Sequence, residues 1–285
     1  MSRKDSLFQV KNTLNLRGNL ESLDSPWVMG ILNITPDSFY AASRMEQPNS
    51  LLGQAEKMLA DGAKILDIGG YSSRPGAAHI SEAEELERVL PAIQAVVHEF
   101  PEAYLSIDTF RAEVARAAVG EGAAIVNDIS GGNLDDGMFE TVATLGVPYI
   151  LMHMKGTPQN MVKQSQYDHL IHDIYSYFSH KVRQLHSLGV SDVILDPGFG
   201  FAKTREQSYE LLRNLGYFHN IKLPLLAGVS RKSMIYKELG ITPEEALNGT
   251  TALNMIALIN GASILRVHDI QPAVVAVKLF KATYG

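Results

Sequence analysis

The sequence predicts an α/β protein with a (β/α)8 TIM barrel behind a short N-terminal β-hairpin or arm. Three observations carry that expectation. From Trp27 onward, eight short apolar runs alternate with segments of helical period. Each run ends in polar residues. A chain of 285 residues, 46% of them apolar, can also fill one large barrel core. Strands alternating with helices build right-handed βαβ units and a parallel sheet. Eight units could form an open doubly wound sheet, but closure into a barrel is the simplest architecture.

Residues 1–26 hold two alternating stretches, "LFQVK" and "LNLRG", around turn-like residues, and read as the hairpin or arm. The barrel is expected over 27–285. Its first run, "WVMGILN", delivers Asn33 and then a Thr-Pro-Asp-Ser loop. "AKILDIG" ends at Asp67, "AYLSIDT" at Asp108, and "AAIVNDI" at Asn127 and Asp128. "VPYILMH" ends at His153 and "DVILDPG" at Asp196; "LPLLAGVS" leads into Ser230, Arg231 and Lys232. The last run, "ASILRVHD", carries Arg266 and His268. Between strands, "SEAEELERVLPAIQAVVHEF" places Glu, Leu and Val at i, i+3 and i+4, the period of a helix. In such barrels the carboxyl ends of the strands face the active site, so these polar ends converge on one mouth.

Composition narrows the function. A net charge of −6 with 25 dispersed basic residues argues against a nucleic-acid surface. The chain has no cysteine, which excludes thiolate metal sites, thiol nucleophiles and disulfides, and is compatible with the cytoplasm. "MSRKDSLFQVKNTLNLRGN" lacks the apolar stretch of a signal peptide, and no apolar run approaches the roughly 20 residues of a membrane span. A cytoplasmic enzyme without membrane or nucleic-acid partners is the expectation.

Four segments stand out. "GGYSSRPGA" (69–77) suits a loop that presents hydroxyls and the cation of Arg74, though it also suits a plain βα connection. "ILDPGFGFAKT" (194–204) contains Gly198-x-Gly200 but lacks the third glycine of a dinucleotide fingerprint. Asp196 reads better as an acceptor for a flat ligand with N–H donors, or as a cap of its own turn. "GVSRKSMI" (228–235) sets Ser230 to Ser233 at a strand-to-helix junction, where anions are favoured; an N-capping serine with exposed cations is the plainer reading. "ILRVHD" puts Arg266 and His268 two apart, hence on one face of a strand, a pair suited to phosphate. Asp108 and Asn127 add a carboxylate and an amide to the same rim, though each taken singly reads more readily as a structural hydrogen bonder than as a ligand contact. His153 is expected to be structural, and His169, His172, His180 and His186 solvated.

Taken in order, "MGILNITPDSF", "GGYSSRPGA", "SIDTFR", "VNDISGG", "LMHMKGTP", "LDPGFGFAK", "GVSRKS" and "RVHD" closely resemble the dihydropteroate synthase family. The likeness runs from about Trp27 to the end. It implies condensation of 6-hydroxymethyl-7,8-dihydropterin diphosphate with 4-aminobenzoate, giving 7,8-dihydropteroate and pyrophosphate. By analogy Asp108, Asn127, Asp196 and Lys232 hold the pterin. Asn33, Arg266 and His268 hold the diphosphate, with Mg²⁺ at Asn33. Phe39, Ser72, Ser73, Arg74, Pro75, Phe201 and Ser233 surround the aminobenzoate. Asp108, Lys232, Arg266 and His268 are the residues expected to carry catalysis, and the family implies a homodimer. Two departures are visible. Where the family continues S-F-S-D-G-G, this chain reads Ser38-Phe39-Tyr40-Ala41-Ala42, without the loop aspartate. Tyr71 and Ser73 replace the usual Glu and Thr of the second loop. A non-catalytic pterin-binding barrel would not need both Arg266-x-His268 and Lys232-Ser233, and a methyltransferase barrel would lack the Ser-Arg-Pro loop.

Overall fold

A computed structural model describes residues 11–34, 50–72 and 79–285. Strands β1 (Thr13–Leu16) and β2 (Asn19–Ser22) form an antiparallel hairpin. Eight parallel strands form the second sheet: β3 (Trp27–Asn33), β4 (Ile65–Gly69), β5 (Tyr104–Asp108), β6 (Ile125–Asp128), β7 (Tyr149–Met152), β8 (Val193–Asp196), β9 (Leu226–Ala227) and β10 (Ile264–Val267). Between and after them run α1 (Leu51–Ala60), α2 (Glu82–Glu99), α3 (Ala112–Gly120), α4 (Met138–Leu145), α5 (Leu170–Ser187) and α6 (Arg205–Arg213). A short α7 (Ser233–Leu239) and α8 (Leu247–Ile259) follow β9, and α9 (Ile270–Tyr284) follows β10.

The strand order is β8-β7-β6-β5-β4-β3-β10-β9. A parallel bridge between Leu195 and Leu225, with the Leu195 N–H donating to the Pro224 carbonyl at 2.9 Å, joins the two ends. The sheet is therefore a barrel and not an open doubly wound sheet. Among the described residues, no helix is long and apolar enough to cross a membrane.

Strand alternation divides the side chains. Val28, Leu66, Ile68, Leu105, Val126, Leu151, Leu195 and Leu265 point outward and pack in one core cluster with the helices. Met29, Ile65, Tyr104, Ile125, Ile150, Ile194, Leu226 and Ile264 point inward and fill the lower barrel. Two residues further along β4, β5, β6, β8 and β10 the inward positions turn polar: Asp67, Ser106, Asn127, Asp196 and Arg266. The polar rim thus sits directly above an apolar floor.

The hairpin closes the opposite end. Its turn falls at Arg17 (φ 52°) and Gly18 (φ 85°), the paired positive φ values of a type I′ two-residue loop. That revises the expected pairing. The chain reverses inside "LNLRG", so "TLNL" pairs with "NLES", and of "LFQVK" only Lys11 is described. Leu14 and Leu16 are fully buried among the floor residues. The Tyr104 hydroxyl donates to Glu21 at 2.7 Å, the Asn15 N–H to Asp192 at 2.9 Å, and the Trp27 indole to the Ser22 carbonyl at 3.0 Å. These bonds hold the stopper against the barrel.

Leu16→Ala opens a cavity in a buried apolar layer. It should lower unfolding stability by about 2–5 kcal/mol, read from denaturant titration. A change below about 0.5 kcal/mol, the range of surface substitutions, would mean the hairpin does not plug the barrel.

Candidate active site

One guanidinium organises the rim. Arg266 leaves β10, crosses β3 and reaches carboxylates on the next two strands. Its Nε donates to Asp67 Oδ2 at 2.6 Å, and Nη2 donates to Asp108 Oδ2 at 2.6 Å. The Asn127 amide donates to the same Asp67 oxygen at 3.0 Å. Gly69 is the β4 neighbour of Asp108 in register. Two carboxylates sharing one guanidinium leave a net negative charge. Burial pushes the Asp108 carboxyl up to about 7; Arg266 opposes this, and Asp67 adds to it. Burial disfavours the charged form of Arg266, but Asp67 and Asp108 together hold it above its ordinary value. Asp67 Oδ1 and Ser106 Oγ, on register partners, are buried without a hydrogen-bond partner among the described residues. Buried polar atoms in such positions are usually completed by a ligand or water.

Across the mouth, Asp196 Oδ1 accepts the Gly198 N–H at 2.8 Å. Burial raises this carboxyl as well, with Lys232 opposing. Only glycine fits at 198: φ is +70° and a Cβ would stand 2.2 Å from the His153 carbonyl oxygen. Lys232 caps α7, donates to the Phe199 carbonyl at 2.6 Å, and lies 4.8 Å from the Phe201 ring centroid. Burial lowers its ammonium to about 8, against the pull of Asp196 and with the help of Arg266. The Ser230 hydroxyl accepts the His268 N–H at 3.2 Å and lies 3.0 Å from His268 Nδ1. Donation to Nδ1 would leave the ring proton on Nε2. Arg231, at φ 52°, is tied to Asp269 by bonds of 2.8 and 2.9 Å, which fixes the bend before Lys232.

The predicted residues that are described fall into three groups. Asp108, Asn127 and Arg266 belong to one bonded network through Asp67. Asp196, Lys232 and Phe201 line the β8 and β9 side, with His268 beside Ser230. Asn33 is exposed at the end of β3, in register with Gly69; Ser72 is exposed, and Ser233 is half-buried in the first turn of α7. Phe39, Ser73, Arg74 and Pro75, with the departures at Tyr40, Ala41 and Ala42, lie outside the described residues. Asp128 turns away from the mouth. Its oxygens accept from the Ser130 and Gly132 N–H groups and the Tyr149 hydroxyl, all at 2.7 Å, and so shape the loop after β6. His153 is buried edge-on against Tyr177, and His169, His172, His180 and His186 are exposed.

Among the described residues, no group of three or more His, Asp or Glu side chains could hold a metal. The amide oxygen of Asn33 is a hard donor on the rim. Such a donor fits Mg²⁺ that keeps water and substrate phosphate as its other ligands. Sequence reasoning named Asp67 as a strand end but gave it no role, and did not single out Lys203. Asp67 stands two residues before the end of β4, in register with Ser106, and a lone carboxylate in an apolar strand is a readable signal. Its bond to a residue 199 positions away is not.

The pterin binding enzyme family profile matches residues 29–268. Dihydropteroate synthase of Escherichia coli is 41% identical over 269 residues, covering 94% of this chain and 95% of that protein. The Yersinia pestis dihydropteroate synthase in complex with a sulfonamide drug superposes with a TM-score of 0.88 at 42% identity, over 95% of this chain and 98% of that one. The Xanthomonas albilineans dihydropteroate synthase with 4-aminobenzoic acid gives a TM-score of 0.86 at 36% identity over the same shares.

Arg266→Ala leaves Asp67 and Asp108 in the buried rim without their counter-ion. Removing one partner of such a pair costs roughly 3–5 kcal/mol, and this should appear at pH 8. At pH 5 the cost should shrink. A raised carboxyl takes up its proton in the folded chain before the unfolded one, so lowering the pH from 8 to 5 favours the folded state at Asp108. Denaturant unfolding at both pH values checks this; equal losses would contradict it.

Proposed function

The chain belongs to the pterin binding enzyme family as a dihydropteroate synthase, and we propose how its rim residues divide that reaction. The enzyme joins 6-hydroxymethyl-7,8-dihydropterin diphosphate to 4-aminobenzoate. The bond from the pterin methylene carbon to the diphosphate oxygen breaks, a bond to the amine nitrogen forms, and pyrophosphate and a proton leave.

Asp108, Asn127, Asp196 and Lys232 hold the pterin. Carbon–oxygen cleavage spreads positive charge into the ring, and the carboxylates of Asp108 and Asp196 are already fixed in place to stabilise it. Of Asp196, Oδ1 is taken up by the Gly198 N–H, so Oδ2 is the oxygen we assign to the pterin edge. Asn33, Arg266 and His268 receive the diphosphate. Arg266 spends Nε and Nη2 on carboxylates, which leaves Nη1 outside those contacts. His268, oriented through Ser230, presents Nε2. When bound at Asn33, Mg²⁺ would neutralise charge on the departing pyrophosphate. Phe201 with Ser72 and Ser233, and Phe39, Ser73, Arg74 and Pro75 outside the described residues, surround the aminobenzoate. The amine needs placement more than a strong base. Asp108, Lys232, Arg266 and His268 carry the chemistry. The Asp67–Arg266–Asp108 network is the observation that supports this division best.

The proposal extends to a cytoplasmic homodimer. A chain without cysteine needs no oxidising compartment. Ile256 and Ile259 of α8, with Val275 and Leu279 of α9, expose apolar side chains on adjacent helices, a surface suited to a second copy.

Release of pyrophosphate that depends on 4-aminobenzoate tests the reaction itself; release without it, or none, would oppose the reading. Asp196→Asn should stay folded and lose about 1.5–3 kcal/mol of pterin affinity, the range for a hydrogen bond to a charged group. Calorimetry finding unchanged affinity would move Asp196 out of the pterin site. The pH dependence of kcat/KM reports free-enzyme groups. It should fall below about 7, where Asp108 gains a proton, and above about 8, where Lys232 loses one. A flat profile from pH 5.5 to 9.5 would contradict these roles.

A further inference from the structure

The loop from Asp196 to Lys203 folds around its own last residue. Lys203 is buried, and its Nζ faces the carbonyl oxygens of Phe201 at 2.9 Å, Gly198 at 3.0 Å and His153 at 3.3 Å, and His153 Nδ1 at 3.0 Å. An ammonium has three N–H groups, so neutral acceptors around it use them all. Among the described residues, no carboxylate forms an ion pair with it. Burying a cation that way is costly, and an apolar side chain would be the cheaper filler. The arrangement makes sense if the loop's shape is what matters.

We infer that Lys203 is a positioning residue for the condensation: it clamps this loop and thereby sets Phe201, Lys232 and the Asp196 carboxylate. The inference rests on the proposed roles of those three. Each is one step from the clamp. The Gly198 residue whose carbonyl meets Lys203 also gives its N–H to Asp196 Oδ1. The next residue, Phe199, supplies the carbonyl that accepts from Lys232 at 2.6 Å. Phe201, whose carbonyl meets Lys203, turns its ring to Lys232. Ala202 is at φ 51°, a strained value for a residue with a Cβ, and two contacts flank it. One is the Lys203 clamp; the other is the Tyr167 hydroxyl, which donates to the Ala202 carbonyl at 2.9 Å. His153 completes the hub. Tyr177 and Phe178 enclose its ring, and burial with the nearby Lys203 charge keeps it neutral, so Nδ1 accepts.

Two measurements on Lys203→Met test this, with Tyr167→Phe as the milder break in the same clamp. Amide hydrogen exchange reads the clamp without any substrate. Exchange over residues 198–203 should rise at least tenfold while the barrel strands keep wild-type protection; unchanged exchange would overturn the inference. Steady-state kinetics read the positioning. The KM for the pterin diphosphate, through Asp196 and Lys232, and the KM for 4-aminobenzoate, through Phe201, should each rise at least fivefold, and kcat should fall. Unchanged kinetics, or a rise confined to one substrate, would overturn it. If Lys203→Met does not fold, Tyr167→Phe decides, with the same pattern at smaller amplitude expected and wild-type values counting against. If the wild-type protein releases no pyrophosphate, the site reading fails, whereas the exchange experiment still judges the clamp.

Discussion

The β4-to-β6 side of the rim depends on Arg266 being shared between Asp67 and Asp108. A guanidinium can bridge two strands because its fork is rigid and its charge does not titrate away. Here it crosses β3, joins β10 to β4 and β5, and through Asp67 also fixes Asn127. The surplus negative charge suits a cationic pterin. The same cation faces the place assigned to the departing pyrophosphate. In the proposed division of roles, one side chain orders the carboxylates for one product of bond cleavage and meets the other product itself. Asp67, which accepts from both Arg266 and Asn127, is the anchor of this arrangement.

Such a rim opposes folding. Above pH 7 the chain must hold buried carboxylates ionised, with Asp108 and Asp196 both raised by burial. The layer beneath offsets this. Met29, Ile65, Ile125, Ile150, Ile194 and Ile264 exclude water from the lower barrel, and Leu14 and Leu16 of the hairpin seal its end. Stability is drawn from the floor and the outer helices, and the polar rim lies two positions further along β4, β5, β6, β8 and β10. Strand alternation makes the division possible, since i and i+2 share a face but can differ in chemistry.

Much of this was legible in the sequence. Eight apolar runs with polar ends name the barrel, and the ends at Asp108, Asn127, Asp196 and Arg266 name the rim, because a strand end in this fold has one place to point. The hairpin was legible as an element but not in register. An Arg-Gly pair can take the positive φ values of a tight turn, but nothing local says it must. The partnerships were not legible at all. That Arg266 pairs with Asp67, that Asp128 turns aside to shape its own loop, and that Lys203 is a buried hub depend on contacts between distant segments. His153 shows the same limit: its burial follows from Tyr177 and Phe178 on α5, not from its own neighbours in sequence.

The central claim is that Arg266 serves the diphosphate as well as tying the carboxylates together. Calorimetry on wild type and Arg266→Gln, with 6-hydroxymethyl-7,8-dihydropterin diphosphate and with the same pterin lacking the diphosphate, separates the two roles. The account predicts that the diphosphate ester loses at least tenfold more affinity than the free pterin alcohol. Equal losses for both ligands would make Arg266 only a strut for Asp67 and Asp108, and would contradict the account.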